Sequence, residues 1–309
     1  MPKHKTISTE KVRLQKFTKK PYKGADISMV KHCYINDNNS LVKDPNDCWM
    51  SYGEVKTVRT TVEMFAKEYT SCARNQALCL SNVDIDGVQD VFSGQRASDG
   101  DLTRTRDNFS WVDGPAAILI DIDGFDGTQE RAIEIICDFW PEFEHAAKVI
   151  APSSSAGIIN ADTNEQLTST NNFHIVVFVE NASSLPHPKI LQEQVKRKAW
   201  LAGYGRILIA KDGAMHLRCT VDTAVLSPER LVFRGAPDLD PPLRREVPDA
   251  KYVDGVWVNT AVFTEPLSPA ENDANSTSAP ASTYNPTALK AMASENMFES
   301  RTVPFTIKS

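Results

Sequence analysis

Two carboxylates placed two residues apart at the end of an apolar strand can hold a divalent cation, and this chain offers that spacing twice. The tetrapeptide Asp-Ile-Asp-Gly stands at 84–87, within SNVDIDGVQD, and again at 121–124, within AAILIDIDGFDG. The first copy follows Ser81 and Asn82 and precedes Asp90, with no apolar run leading into it. Local side chain-to-backbone bonding accounts for its acids, so it reads as a surface turn. The second copy is different because five apolar residues run straight into it. Strand side chains alternate between faces, so Ile118, Ile120 and Ile122 point one way while Leu119, Asp121 and Asp123 point the other. Side chains two apart on a strand lie about 6.5–7 Å from each other, a span that ions can bridge. Acids left unpaired at the end of a buried strand are costly, and Mg²⁺ or Mn²⁺, which prefer oxygen ligands, would relieve that cost. A bare Asp-x-Asp also fits a strand that simply ends in solvent with Gly124 opening a turn, so the metal reading needs partners.

Two partners lie downstream. His174, in NNFHIVVFVE, stands where polar residues give way to an apolar run, at the start of another buried strand. A histidine there is more often structural than functional. Asp222, in CTVDTAVLSPERLVFRG, ends a further strand and is followed by Arg230 and Arg234. A third carboxylate at a strand terminus, with arginines after it, suits a two-metal site acting on a phosphate-bearing substrate.

These residues depend on the elements that carry them. A strand over Ala116–Ile122 leads to a helix over 126–140, with Ala132, Ile135, Ile136, Phe139 and Trp140 on one face. Pro141 ends it, lacking the amide that would continue the ladder. Strands follow at AAKVIAP and FHIVVFVE, then a helix over 188–202 with Leu191, Val195, Ala199 and Ala202 aligned. RILIA and AMHLRCTVDT read as a hairpin turned by Lys211–Gly213, and RLVFRG as a last strand. Strands, a crossover helix and hairpins mixed in this way predict an α+β domain with a mixed sheet. Upstream, 54–80 reads as containing a helix with Val62, Phe65, Ala66 and Tyr69 on one face, and 81–110 as a long loop region. Residues 1–25 carry eight lysines and arginines against Glu10 alone, which predicts a solvated basic arm able to reach a nucleic acid. Residues 265–286 have the Pro, Ser and Ala content of a linker, and 287–309 read as a short helical tail able to open a further module. The catalytic domain is thereby expected over 26–264.

Composition narrows the class. The 309 residues are 41% hydrophobic with a net charge of −6, which permits a sizeable core and argues against a histone-like coat on nucleic acid. Apolar runs fall short of the ~20 residues a membrane span needs, and the first residues lack the apolar core of a signal peptide. Six cysteines without a Cys-x-x-Cys pair point to reduced thiols and a cytoplasmic setting.

In order, ILIDID, NFH and the Val221-Asp222 pair resemble the archaeo-eukaryotic primase superfamily, in particular the primase-polymerases of plasmids, phages and other mobile elements. That family carries an apolar run into Asp-x-Asp/Glu, then a histidine as Ser-x-His, then an apolar residue and a final Asp. The resemblance covers about 104–242. It implies an RRM-like catalytic core with an N-terminal α/β part. It also implies template-dependent nucleotidyl transfer, as a DNA primase or polymerase, with two Mg²⁺ or Mn²⁺ ions held by Asp121, Asp123 and Asp222. His174 would bond the triphosphate, aided by Arg230 or Arg234. Asn172 replaces the usual Ser of Ser-x-His, which makes Ser153, Ser154 and Ser155 candidates for its role, Ser154 foremost. No zinc-binding insertion is visible. The implied partners are a single-stranded DNA template, a primer strand, nucleoside triphosphates and a replicative helicase.

Other families also use Asp-x-Asp. A haloacid-dehalogenase phosphatase usually has Thr or Val where Phe125 stands, and needs a later lysine and an acidic pair that are not evident. A metal-dependent glycosyltransferase gains nothing from His174 and Asp222. A non-catalytic replication-initiator module would place clustered acids against a DNA backbone, which repel unless an ion lies between.

Overall fold

Every side chain of the seven-residue run Phe173–Val179 is buried, and the larger half of the molecule is assembled around it. The computed structural model describes residues 6–21, 27–45, 48–94, 96–122, 125, 127–209 and 215–264. The first elements are β1 (Lys11–Lys19), β2 (His32–Ile35), β3 (Leu41–Asp44), β4 (Tyr52–Thr61), α1 (Phe65–Thr70), β5 (Gln76–Cys79) and β6 (Val88–Phe92). Then come β7 (Ala116–Ile122), α2 (Gln129–Phe139), β8 (Lys148–Pro152), β9 (Ile158–Asn160), β10 (Phe173–Val179) and α3 (Pro188–Leu201). The last are β11 (Gly205–Ile209), β12 (Met215–Cys219), β13 (Val221–Asp222), β14 (Leu231–Val232), β15 (Asp238–Leu239), β16 (Leu243–Arg245) and β17 (Lys251–Val253). The architecture is mixed α+β, with mostly antiparallel sheets and few helices.

Two five-stranded sheets form the body. One has the order β13-β7-β10-β8-β17 and the other β14-β5-β1-β4-β6. In the first, β7-α2-β8 and β10-α3-β13 are interleaved, so that each strand pair joined by a helix is separated by a strand of the other pair. This is the split β-α-β-β-α-β connection. The β11–β12 hairpin is inserted before β13, and β17 extends the far edge.

The two faces of this sheet follow from the strand alternation. Ile118, Ile120 and Ile122 join Ile175, Val177 and Val179 beneath α2 and α3, which contribute Ile135, Ile136, Phe139, Leu191 and Val195. Thr128 starts α2 by accepting the Arg131 amide at 3.2 Å, and Pro141 begins a short 3-10 turn beyond it. Leu119, Val176 and Phe178 face the opposite way, onto Val12 and Leu14 of β1 and Phe65 and Tyr69 of α1. The second sheet buries its own far face on Phe17, Val55, Val91 and Phe109.

Several expectations are corrected. Residues 11–19 of the expected basic arm are the middle strand of the second sheet. Val12, Leu14 and Phe17 are buried, and the interleaved cations are held within the fold. The Lys19 ammonium donates to the Ser28 carbonyl at 2.8 Å, and Lys16 pairs with Glu68 at 3.4 Å. The folded sheet therefore takes in residues before 26. The helix expected within 54–80 shrinks to the six residues of α1, because the β-branched stretch before it pairs with β1 as β4. Its buried positions, Phe65 and Tyr69, are those expected. The 81–110 loop contains β6. The hairpin forms, but Val221 and Asp222 leave it to pair with β7. The hairpin turn, the linker and the tail lie outside the described residues. None of the six cysteines is in a disulfide.

Phe178 is fully buried and meets Phe65 edge-on at 5.2 Å, joining the first sheet to α1. Phe178→Ala should lower the unfolding free energy by about 3–5 kcal/mol. Urea unfolding followed by circular dichroism and tryptophan fluorescence should shift as one transition. Separate transitions would show that the two sheets do not unfold together.

Candidate active site

Asp121 occupies the middle of a three-strand row. Its Cα partner on β13 is Asp222, and its Cα partner on β10 is His174. Directly opposed residues of antiparallel strands share a face, with Cβ atoms about 4.5–5.5 Å apart. All three side chains therefore lie on the face turned toward α1 and the second sheet, at the end of β7 where the buried run stops. Like charges directly opposite each other destabilise a strand pair, so the Asp121–Asp222 register is unfavourable as it stands. Asp222 also accepts the Ala224 amide at 3.0 Å, which fixes its carboxylate at the start of a short 3-10 turn.

His174 is buried and tightly held. Its Nε2 lies 3.4 Å from Asp121 Oδ1. Its Nδ1 is 2.8 Å from the Tyr69 hydroxyl and 3.3 Å from Arg234 Nη1. A guanidinium can only donate, so Nδ1 must be the acceptor and the ring proton sits on Nε2, facing Asp121. Burial, then the Arg234 and Lys31 charges, hold the imidazole well below its ordinary pKa, so it is neutral at pH 7. Burial pushes the Tyr69 phenol upward, which keeps its hydroxyl a donor.

Arg234 completes the wall. It is buried, its Nη1 donates to the Pro152 carbonyl at 2.8 Å, and its guanidinium lies 4.8 Å from the Tyr69 ring centre. Its Nε has no hydrogen-bond acceptor among the described residues. The serine-rich loop after β8 runs beside it. Ser153 bonds back to Asn172 at 2.9 Å, and Arg245 donates to the Ser153 and Ala156 carbonyls at 2.9 and 3.1 Å. Lys31 Nζ stands 3.5 Å from Ser155 Oγ. Gly157 ends the loop at φ +66°, where a Cβ would strike the Glu246 carbonyl. Three cations, Lys31, Arg234 and Arg245, thus surround this loop on the His174 side of Asp121, an arrangement able to receive an anion.

Asp121, Asp222, His174 and Arg234 come together as the sequence suggested. Ser154 is half-buried in the adjoining loop, one residue from the carbonyl that Arg245 holds. Arg230 is not brought in: it is exposed, with its amide closing the 227–230 turn. Asp123 lies outside the described residues. Among those described, no group of three His, Cys, Asp or Glu side chains stands ready to hold a metal. Tyr69, Lys31 and Arg245 were not foreseen. Tyr69 carried the one available signal, a hydroxyl on an otherwise apolar helix face. The first Asp-Ile-Asp-Gly copy lies at the surface as expected, but its acid is met by distant arginines rather than by local backbone bonding: Asp84 is exposed and paired with Arg59 and Arg13.

No protein-family model matches the chain, and neither does any curated protein or solved structure. The site therefore rests on its own geometry.

At neutral pH, a long-range ¹H–¹⁵N correlation spectrum should show His174 with Nε2 protonated and Nδ1 bare. Tyr69→Phe should cost about 1 kcal/mol of stability and move the Nδ1 resonance. A doubly protonated ring at pH 7 would contradict this arrangement.

Proposed function

We propose that the chain is a template-dependent nucleotidyl transferase of the primase-polymerase kind, adding nucleotides to a DNA strand during replication. The observation that carries this reading is the opposition of Asp121 and Asp222 in one register, with His174 on the other flank. The split β-α-β-β-α-β connection and the residue order along the chain, acid, histidine, acid, arginine, support it.

The donor chemistry fits Mg²⁺ or Mn²⁺. Asp121 and Asp222 offer hard oxygens from facing strands, and their mutual repulsion is what a cation between them would remove. Asp121 and Asp222, together with Asp123, would hold the ions. When bound, the ions lower the pKa of an attacking 3′-hydroxyl and neutralise charge on the triphosphate.

The protein groups do the positioning. The His174 Nε2–H faces the Asp121 carboxylate at 3.4 Å, where it could donate to a phosphate oxygen held beside the acid. The Tyr69 hydroxyl fixes the tautomer from behind, as the outer partner of a site histidine commonly does. Arg234 adds a fixed positive charge beside the ring, and Lys31 and Arg245 add two more along the serine loop. Phosphoryl-type transfer demands mainly alignment and charge neutralisation, which such a set supplies.

Purified protein given a primed single-stranded template, nucleoside triphosphates and Mg²⁺ or Mn²⁺ should extend the primer. Asp121→Asn and Asp222→Asn should each lower incorporation by roughly a hundredfold or more, about 2.7 kcal/mol of barrier, while circular dichroism stays unchanged. Wild-type-like extension by either variant would overturn the assignment.

A further inference from the structure

Across β13 from the serine loop, the β11–β12 hairpin sets Arg206 directly opposite Arg218. Both are exposed, and neither is salt-bridged among the described residues. A like-charge cross-strand pair weakens a hairpin, so its presence here has a cost that folding alone does not explain. The two guanidiniums line a cavity of about 230 Å³ together with Lys196 of α3, Asp222 and Leu208. Leu208 is 49% exposed there, an apolar surface beside the cations. Lys196 pairs with Glu193 at 2.9 Å, so the two hairpin arginines are the cavity's cations without an ion pair among the described residues, in a chain of net charge −6.

The sheet order β13-β7-β10-β8 places this cavity and the Lys31–Arg234–Arg245 group on opposite flanks of the Asp121–Asp222 pair. Nucleotidyl transfer needs such a division. The 3′ oxygen of the strand bonds the α-phosphorus as the α–β bridging bond breaks, pyrophosphate leaves on the far side, and the hydroxyl proton passes to solvent. Two polyanions, the strand end and the triphosphate, must therefore be held apart and in line. We propose that the Arg206–Arg218–Lys196 cavity grips the phosphodiester backbone of the strand being extended, with Leu208 against a base. The strand then approaches from the hairpin side and the nucleotide from the His174 side. This inference rests on the nucleotidyl-transfer reading above. A free phosphate would use the cations and leave Leu208 idle, whereas a nucleotide in a strand uses both.

The test is fluorescence anisotropy with a labelled single-stranded oligonucleotide, at several salt concentrations and without metal. Arg206→Ala/Arg218→Ala should weaken binding by about tenfold or more. It should also reduce the slope of log affinity against log salt by about 1.4, the loss of two single-strand phosphate contacts at ~0.7 each. Arg206→Lys/Arg218→Lys should retain most of the affinity, and the alanine pair should melt no lower than wild type, since a repulsive pair is removed. Asp121→Asn should bind the oligonucleotide as wild type does, so a failure of the transfer reaction is separable from a failure of the grip. Unchanged affinity in the alanine pair, or no oligonucleotide binding by wild type, would overturn the proposal. So would a variant that loses affinity for a nucleoside triphosphate titrated alone while keeping it for the oligonucleotide.

Discussion

The site depends on the register of three strands. Because strand side chains alternate with a period of two, a slip of β13 or β10 by one residue against β7 would turn Asp222 or His174 onto the face beneath α2 and α3. Both faces of this sheet are covered by apolar packing, so such a slip would bury charge beneath α2 and α3. The hydrophobic pattern of β7 and β10 thereby holds Asp121, His174 and Asp222 on one face without any direct bond between the two acids. The core maintains an unfavourable carboxylate pairing that local energetics alone would avoid.

The second sheet and α1 cover the rest of that face. Val12 and Leu14 of β1 and Phe65 of α1 pack on Leu119, Val176 and Phe178, and Tyr69 reaches from the same helix to His174. Burial depresses the histidine, and the arginine beside it depresses it further, so the imidazole is a fixed neutral donor-acceptor rather than a titrating base at pH 7. The Tyr69–His174–Arg234 group joins residues from α1, β10 and the segment after β14. Its geometry therefore depends on the two sheets remaining docked.

Much of the first sheet was legible. The apolar runs of 116–122 and 173–179 and the helical spacing in α2 and α3 are local signals that packing then uses. The pairing of Asp121 with Asp222 could be anticipated only as a requirement of the chemistry, since it joins residues about a hundred positions apart. What escaped was decided by distant partners. In β1, lysines and arginines hide the buried Val12, Leu14 and Phe17, and the strand is recognised only once β4 and β5 flank it. Lys31 and Arg245 reach the serine loop from segments whose local sequence says nothing of it. Between Arg230 and Arg234, the sequence offered no criterion, and the depth of burial after β14 separated them.

The two copies of Asp-Ile-Asp-Gly show how little a motif fixes by itself. Asp84 sits on an exposed turn, and its carboxylate meets Arg59 from β4 and Arg13 from β1, cations the protein supplies itself. Its charge is satisfied in solvent-accessible surroundings, where such pairs contribute little and attract nothing further. Asp121 carries the same side chain in the same four letters, but its cross-strand neighbour is a second carboxylate in a partly enclosed cleft. The first environment closes the electrostatic account within the chain. The second sets two carboxylates against each other beside His174, the arrangement that the proposed cation would bridge. The sign of the opposing charge, set by β-sheet register, is what distinguishes a turn from a candidate metal centre.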